Sequence, residues 1–160
     1  MISRTKDSYL IGILSDTHGE APRVALDALK DADHILHAGD VVSHAVLPAL
    51  ERIAPVTAVR GNMDGNTPML PHKTRYLDLN GVGIYVLHDV YDLDIDPAAA
   101  GVRMVVHGHT HRARIEWRSG ILFINPGSAA HPRGQRPASV ATVRLVGGEL
   151  LPEIIPLLEG

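Results

Sequence analysis

The first 60 residues alternate between short apolar runs and segments with helical spacing. Buried strands are predicted at residues 9–14, 34–38 and 56–60. Between them, a proline suited to a first helical turn opens a helix predicted over residues 22–32, and Ser43 is placed to cap a second helix over residues 44–53. Alternating strands and helices of this length are typical of a mainly parallel sheet.

The second half of the chain instead favours antiparallel pairing. Strands are predicted at residues 74–79, 82–88, 103–106, 113–117, 121–125, 140–146 and 149–155, with a short helix over residues 97–101. Two-residue turns join three of the strand pairs, at Asn80-Gly81, Ser119-Gly120 and Gly147-Gly148. Parallel units followed by hairpins predict an α/β fold in which two mixed sheets stack face to face with helices outside.

Length and composition predict one domain over residues 1–160, with residues 1–8 as a short N-terminal extension. No linker, repeat or low-complexity tract divides the chain, and its length allows a sizeable core without disulfides. No apolar run is long enough to cross a bilayer or to form a signal sequence. We therefore expect a soluble, cytoplasmic protein with no membrane partner.

The distribution of charge is more informative than the net charge of -3 at pH 7. Between residues 103 and 144 there are seven arginines and one acid, Glu116. Most of these arginines are expected on solvated strand faces, but one or two near a site would favour an anionic substrate. Nucleic-acid binding with nuclease activity is a weaker alternative, because one phenylalanine and one tryptophan make no aromatic platform.

Five polar motifs each follow a predicted strand and together carry seven metal donors. They are Ser15-Asp16-Thr17-His18, Gly39-Asp40, Gly61-Asn62, His88 and Gly108-His109-Thr110-His111. Open α/β sheets build their sites at the carboxyl ends of strands, so the donors are expected to converge. Donors at i and i+2 in extended backbone project to one side, and a preceding glycine allows close approach to an ion. Without cysteine, these oxygen and imidazole donors suit Mn, Fe, Ni or Zn.

This order of motifs resembles that of the calcineurin-like metallophosphoesterases, which carry D-x-H, G-D, G-N, H and G-H-x-H. The resemblance runs from about Leu10 to Arg133. Two further segments are similar to the small phosphodiesterase branch that also contains the retromer subunit Vps29: Gly61-Asn62-Met63-Asp64 and Asn125-Pro126-Gly127-Ser128. The resemblance implies a four-layer α/β/β/α sandwich and a metal-dependent phosphoric ester hydrolase with a binuclear centre.

The resemblance also implies a role for each donor. Two divalent ions, manganese first with Fe, Ni, Zn or Mg as alternatives, would be held by Asp16, His18 and His111 (first ion), by Asn62, His88 and His109 (second ion), and by Asp40, which would bridge both. A hydroxide between the ions would attack phosphorus in line. Catalytic roles would fall to Asp40, Asn62 and His109.

The substrate expected from the resemblance is a small phosphodiester contacted by Asn62, Ser128 and Arg133. Many family members carry a histidine after the G-N asparagine that protonates the leaving group, whereas this chain has Met63. Because a positioned acid matters most when the leaving oxygen is a strong base, we expect a preference for activated leaving groups. Asp89 follows His88 where glycine is usual, and it would either crowd the second ion or add an outer contact.

A non-catalytic protein-binding scaffold, as in Vps29, is the main alternative to hydrolysis, since fold alone does not fix function. A scaffold under no catalytic demand need not keep seven donors, and this chain has all seven. The natural substrate, the physiological metal, the general acid and a homo-oligomeric state are left open by the sequence.

Overall fold

The computed structural model describes residues 7–158. Within that range there are ten strands, two short α-helices and one 3₁₀ helix: β1 Ser8–Leu14, α1 Arg23–Ala28, β2 His34–His37, α2 Val46–Glu51, β3 Val56–Ala58, β4 Thr74–Leu79, β5 Val82–Leu87, the 3₁₀ helix Val90–Asp92, β6 Met104–Val106, β7 Arg114–Arg118, β8 Ile121–Asn125, β9 Ser139–Val146 and β10 Glu149–Pro156. Among the described helices, none has the length and apolar character needed to cross a membrane.

The strands form two five-stranded sheets, and both sheets are mixed. In the first sheet the order is β10-β9-β1-β2-β3; β1, β2 and β3 run parallel, while β9 and β10 run antiparallel. In the second sheet the order is β4-β5-β6-β8-β7, with β5, β6 and β8 parallel and an antiparallel strand at each edge. The three predicted hairpins of the second half are therefore confirmed, but that half does not pair only in the antiparallel sense, because β5, β6 and β8 are parallel.

Three apolar layers hold the sheets and their flanking elements together. Residues such as Ile13 and Ile84 fill the space between the two sheets. On the other face of the first sheet, Leu29 and Leu50 belong to the layer under α1 and α2. The outer face of the second sheet packs Phe123 and its neighbours against the 3₁₀ helix and the loop that follows it. This arrangement confirms the predicted α/β sandwich of two mixed sheets.

The flanking helices are shorter than predicted. The predicted helix over residues 97–101 is wrong: Ala100 N–H donates to the Asp96 carbonyl, and Gly101 then takes φ 75°, which ends the segment after one turn. The second helix begins at Val46 rather than at residue 44, because Pro48 lacks an N–H and is tolerated only in a first turn. Ser43 still accepts the Ala45 N–H at 3.2 Å.

The predicted N-terminal extension, residues 1–8, falls mostly on residues 1–6, which lie outside the described residues. Ser8 already belongs to β1 and pairs with Val146, so it is not part of an extension. The extent of the predicted single domain stays a prediction, although the two sheets share one continuous core over the described residues.

The parallel strands of both sheets bring their carboxyl ends to the same side of the sandwich. The loops after β1, β2, β3, β5 and β6, which carry the seven donors, meet there, and we call this the donor end. The three hairpin turns lie at the other side, which we call the hairpin end: residues 80–81, 119–120 and 147–148. The expected convergence of the five motifs at strand ends is thus seen in the fold.

Candidate metal centre

Five of the seven donors have a left-handed backbone. Asp16, His18, Asp40, His109 and His111 have φ values of 55°, 49°, 57°, 74° and 61°. The two i, i+2 pairs do converge, but the expectation that extended backbone would bring them together is wrong. Left-handed residues turn the chain back on itself directly after each strand. This conformation costs a non-glycine residue roughly 1–2 kcal/mol and marks a loop shaped for a task other than stability.

Four donors form one compact group. The ligand atoms of Asp16, His18, Asp40 and His111 all lie within 4.8 Å of one another. The His18 and His111 Nε2 atoms are 3.2 Å apart, and Asp16 Oδ1 lies 3.3 Å from His111 Nε2. Ligands bound about 2.1 Å from a common ion stand at separations of this order.

The remaining donors lie beside this group. His88 Nε2 is 3.3 Å from Asp40 Oδ2 and 3.7 Å from Asp16 Oδ1. Asn62 Oδ1 faces His109 Nδ1 at 3.1 Å, and the His88 and His109 rings meet edge to face with centroids 5.1 Å apart. Since Asp40 Oδ2 is also 3.6 Å from His18 Nε2, this carboxylate contacts donors of both groups.

Hydrogen bonds to main-chain carbonyls orient two of the imidazoles. His88 Nδ1 donates to the Ala38 carbonyl at 2.7 Å, and His111 Nδ1 donates to the His131 carbonyl. With the proton on Nδ1, the Nε2 atom of each ring keeps a lone pair directed at the carboxylates. This is the usual arrangement of a metal-ligating histidine, in which the second ring nitrogen fixes the orientation of the ring.

Two buried polar atoms at this place have no hydrogen-bond partner among the described residues, namely Asp16 Oδ1 and His88 Nε2. The other oxygen of Asp16 is satisfied, because it accepts from Ser15 Oγ at 2.6 Å and from the His109 N–H at 3.0 Å. Leaving a buried carboxylate oxygen unpaired costs about 1–3 kcal/mol or more. A divalent cation would satisfy both atoms, so the residues present fit a metal.

The pKa shift of His88 indicates a negative electrostatic potential among the donors. Burial alone lowers the pKa of His88, but the Asp40 carboxylate, 3.3 Å from its Nε2, and the charge of Asp16 outweigh that effect and raise it. Burial raises the pKa of Asp40, but the adjacent His88 imidazole and the hydrogen bond from the Met63 N–H lower it below its usual value. A potential that retains a proton on an imidazole also favours a metal cation at the same place.

Glycines let the donor loops pack against one another. A Cβ on Gly61 would collide with the Asp40 side chain, and a Cβ on Gly108 would collide with the Ser15 hydroxyl and approach Asp16 Oδ2 to 2.7 Å. The predicted close approach is therefore observed, but it is an approach to neighbouring donor side chains. These two positions accept only glycine without displacement of a donor.

Asp64 organises the site and was given no role in the sequence analysis. Its carboxylate accepts three main-chain N–H groups, from Asp40 at 2.9 Å, Val42 at 2.7 Å and Gly61 at 2.7 Å. It therefore ties the loop of the shared donor Asp40 to the loop of Asn62. The signal available in the sequence was an acid placed two residues after the G-N asparagine, in a loop where side-chain oxygens commonly bind main-chain N–H groups.

His37 supports the Asp40 loop through hydrogen bonds with Gly39 and Thr17. Its Nδ1 accepts the Gly39 N–H at 3.1 Å and its Nε2 lies 3.1 Å from Thr17 Oγ1, so the hydrogen bonds select the neutral ring with a proton on Nε2. Burial lowers the pKa of His37 to about 3. These contacts give His37 a supporting role in the Asp40 loop rather than a role in metal ligation.

A cleft of about 510 Å³ opens at the side of the donor end where Asn62, His88 and His109 lie. Arg60 and Lys73 line one part of it, and the acids 89, 92 and 94 line another. The sequence analysis did not single out Arg60 or Lys73, since each is an isolated cation without a motif. Their positions become significant only when β3 and β4 bring them to the same cleft.

The predicted substrate contacts fall in different environments. Ser128 is 1% exposed, and its hydroxyl donates to the Asp16 carbonyl at 2.7 Å while accepting the His131 N–H at 2.7 Å. It therefore braces the loop from inside and does not face a ligand, in contrast to the prediction. Arg133 is exposed, and its role as a substrate contact stays a prediction.

The two departures from the usual motif pattern have distinct structural settings. Met63 is 59% exposed, and its N–H donates to Asp40 Oδ1 at 2.8 Å. Asp89 caps the 3₁₀ helix by accepting the Tyr91 N–H, while its Oδ2 lies 3.8 Å from His109 Nε2. Of the two roles considered for Asp89, an outer contact to His109 agrees better with this position than crowding of the second ion.

Comparison with known proteins matches residues 9–148 to the calcineurin-like phosphoesterase superfamily domain. This chain belongs to that family. A probable metallophosphoesterase of Methanothermobacter thermautotrophicus is 35% identical over 158 residues, covering 91% of each chain. The phosphodiesterase YfcE of Escherichia coli is 32% identical over 150 residues, covering 78% of this chain and 82% of that one. The predicted family is thereby confirmed, and the protein is a metallophosphoesterase-type hydrolase.

Among solved structures, vacuolar protein sorting 29 from Cryptosporidium parvum superposes with a TM-score of 0.74 at 20% identity, covering 96% of this chain and 100% of that one. At this identity the similarity shows a shared fold and does not extend to function. The family implies divalent metals, and the group of Asp16, His18, Asp40 and His111 is a candidate for holding one.

Proposed function

We propose that this protein is a binuclear metal-dependent phosphodiesterase. The observation that carries the proposal is the position of Asp40, whose Oδ2 lies 3.6 Å from His18 Nε2 in one donor group and 3.3 Å from His88 Nε2 in the other. One carboxylate oxygen, Oδ2, therefore faces both groups, and an anionic oxygen in that position could be shared between two neighbouring cations, while Oδ1 accepts the Met63 N–H. The residues that would hold the ions are Asp16, His18 and His111 for the first, Asn62, His88 and His109 for the second, and Asp40 for both.

When bound, two divalent ions would lower the pKa of a water molecule and polarise the phosphoryl oxygens of a substrate. The chain supplies the rest of the chemistry. Asp16 and Asp40 fix the ligand geometry from buried positions, and His88 and His111 are held in one orientation by main-chain carbonyls. Asn62 is exposed at the cleft, where its amide can contact a phosphoryl oxygen. Manganese is the proposed metal, and the cytoplasm the proposed location.

The proposed substrate is a small phosphodiester that enters through the cleft of about 510 Å³. Arg60 and Lys73 place positive charge on its wall, which favours an anionic group beside the donor end. Arg60 Nη1 donates to Asn66 Oδ1 at 2.9 Å, so the guanidinium is held in place rather than free to swing away. Arg133 is retained as a proposed contact from the exposed loop after Ser128.

Leaving-group departure would receive little help from the chain. Met63 cannot donate a proton, so we propose that aryl phosphodiesters react much faster than alkyl ones. A series of methyl aryl phosphates tests this point: the logarithm of kcat should fall as the pKa of the leaving phenol rises. Met63→His should make that dependence shallower. A wild-type rate that does not change along the series would contradict the proposal.

The activity itself is tested on metal-stripped protein, before and after reconstitution with Mn²⁺. We expect hydrolysis of bis(p-nitrophenyl) phosphate only after reconstitution, with slower turnover of p-nitrophenyl phosphate. Asp40→Ala should abolish the activity, whereas Asp78→Ala, which removes a carboxylate at the hairpin end, should retain it. Activity that survives Asp40→Ala would overturn the two-ion assignment. A protein that binds two ions but hydrolyses neither ester would favour the protein-binding scaffold instead.

A further inference from the structure

A second cavity, of about 450 Å³, lies on the outer face of the second sheet, between β7 and the segment that contains the 3₁₀ helix. Four arginines of the basic region line it: Arg112, Arg114, Arg118 and Arg136. Residues 114, 116 and 118 share one face of β7 because side chains alternate along a strand. The fold therefore gathers at one cavity four of the arginines that were expected on solvated strand faces.

The charge around this cavity is unbalanced. Of the residues that line it in the described chain, Glu116 is the one acid, and it is already paired with Arg118 at 2.9 Å and Arg114 at 3.5 Å. The side chains of Arg112 and Arg136 have no hydrogen bond or ion pair with the part of the chain that the structure describes. Two guanidinium groups are thus available for an anion, and their planar donor geometry suits phosphate.

A buried histidine forms part of the cavity wall. His107 is only 9% exposed, and its Nδ1 is inaccessible to solvent and has no hydrogen-bond partner within residues 7–158. Because a ligand in the cavity cannot reach this nitrogen, the charged contacts that the cavity offers come from the arginines. The cavity volume also falls within the range of sites that hold small organic ligands.

The rim of the cavity carries an aromatic side chain. Tyr91 is 91% exposed, although a large aromatic ring on a small domain is normally at least partly covered. A flat ring beside free guanidinium groups can stack on a base while the arginines bind phosphate. From these observations we propose that the cavity is a binding site for a nucleoside diphosphate, separate from the metal centre.

The site lies next to the loop of residues 108–111 but contains none of the seven donors. Thr110 and Asn125 line the cavity, and Asn125 Nδ2 donates to the Gly108 carbonyl at 3.0 Å and to Thr110 Oγ1 at 3.1 Å. Neither residue is among the seven proposed ligands. Binding of the nucleotide is therefore independent of whether the metal centre hydrolyses phosphodiesters.

Isothermal titration calorimetry with ADP, pyrophosphate and adenosine tests the proposal. We expect ADP to bind to wild-type protein and to Asp40→Ala alike, and to bind at least about tenfold more weakly to the double variant Arg112→Ala/Arg136→Ala. Arg23→Ala/Arg52→Ala, which removes the same charge from exposed positions on the opposite side of the sandwich, is the matched control and should bind as wild type. Circular dichroism melting checks that each variant is folded.

Tyr91→Ala separates the two parts of the ligand. It should weaken binding of ADP and leave binding of pyrophosphate unchanged, while adenosine alone should bind poorly to every protein. The proposal is overturned if ADP fails to bind at millimolar concentration, if Asp40→Ala abolishes binding, or if the control pair weakens binding as much as the cavity pair. Equal affinity for ADP and pyrophosphate, with no effect of Tyr91→Ala, would overturn the nucleoside part.

Discussion

The two ends of the sandwich use the same unusual backbone conformation with opposite residue choices. At the hairpin end, left-handed φ values fall on Asn80-Gly81, Ser119-Gly120 and Gly147-Gly148, which are residues suited to two-residue turns. At the donor end they fall on Gly19 and Gly39 but also on Val42 and five aspartate and histidine donors, where the conformation is costly. The hairpin end is built for stability. The donor end keeps strained residues because their side chains are needed where they are.

Burial follows the same division. The donor end places Asp16 and Asp40 at 0% and 2% exposure, with an unpaired carboxylate oxygen between imidazoles. The charged residues of the hairpin end, such as Asp78, are exposed. Left-handed backbone at residues that also carry buried charge is found at the donor end and not among the described residues of the hairpin end, and this combination indicates a site rather than a fold requirement. Substitutions at the two ends should therefore have different consequences.

The largest difference is expected for the carboxylates. Asp16→Asn keeps the size of the side chain but removes the charge that faces three imidazoles at 3.3, 3.7 and 3.8 Å. We expect kcat on bis(p-nitrophenyl) phosphate to fall by at least about 10³-fold. Asp78→Asn, the same change at the hairpin end, should alter kcat by less than about twofold. Comparable losses in both variants would remove the distinction between the ends.

Asp64 tests whether the donor loops are organised together. Asp64→Ala leaves three main-chain N–H groups without their acceptor, and we expect the free energy of unfolding in urea to fall by about 2–4 kcal/mol. Because the Asp40 and Asn62 loops lose their common anchor, kcat should also fall by about 10–100-fold. Asp64→Asn retains one acceptor oxygen, so its free energy of unfolding and its kcat should lie between those of wild type and Asp64→Ala. An unchanged kcat in a destabilised Asp64→Ala protein would show that the two loops are positioned independently.

His37 links the donor end to pH. Its pKa in the folded protein is about 3, below the ordinary value of 6.5, so the unfolded chain binds a proton that the folded protein excludes. The stability contributed by the neutral ring is complete above pH 6.5 and is lost as the pH falls toward 3. Metal-free wild type should therefore lose stability more steeply than His37→Gln, by about 1.4 kcal/mol per pH unit at most. Parallel pH profiles of unfolding would contradict this prediction.

The smallest effect concerns the strain itself. At a left-handed position glycine should be more stable than alanine by about 1 kcal/mol, the reverse of the usual order. We expect this for His18→Gly against His18→Ala, measured by thermal melting of metal-free protein, and equally for Ser119→Gly against Ser119→Ala. Both His18 variants should lose activity, and both Ser119 variants should retain it. If alanine is more stable than glycine at residue 18, the donor loop is not strained there.

Hydrophobic periodicity and turn chemistry predicted most of the fold. Strands, hairpins and the convergence of the five motifs follow from local patterns of apolar residues and from Asn80-Gly81 and similar pairs. The helices were overestimated because Pro48 and Gly101 restrict the chain more strongly than apolar spacing extends it. Local sequence therefore predicts which strands and helices form, but it predicts the residues at which the helices begin and end poorly.

Tertiary contacts explain what the sequence did not predict in the site. Besides the nearby Gly61 N–H, Asp64 accepts the N–H groups of Asp40 and Val42, which lie 24 and 22 positions away, and Ser128 is buried against Asp16, which is 112 positions away. Arg112 and Arg136 lie far apart in the sequence and line one cavity only in the folded chain. The long-range contacts among these have no local pattern in the sequence. The metal donors could be predicted because their motifs repeat a known order, whereas the supporting contacts could not.

The central claim is that the donor end holds two ions that share Asp40. It is tested most directly by counting Mn²⁺ bound per chain after equilibrium dialysis, in wild type and in His109→Ala. We predict two ions in wild type and one in His109→Ala, because the partly buried group of Asp16, His18, Asp40 and His111 remains intact. One ion in wild type, or two ions in His109→Ala, would contradict the account.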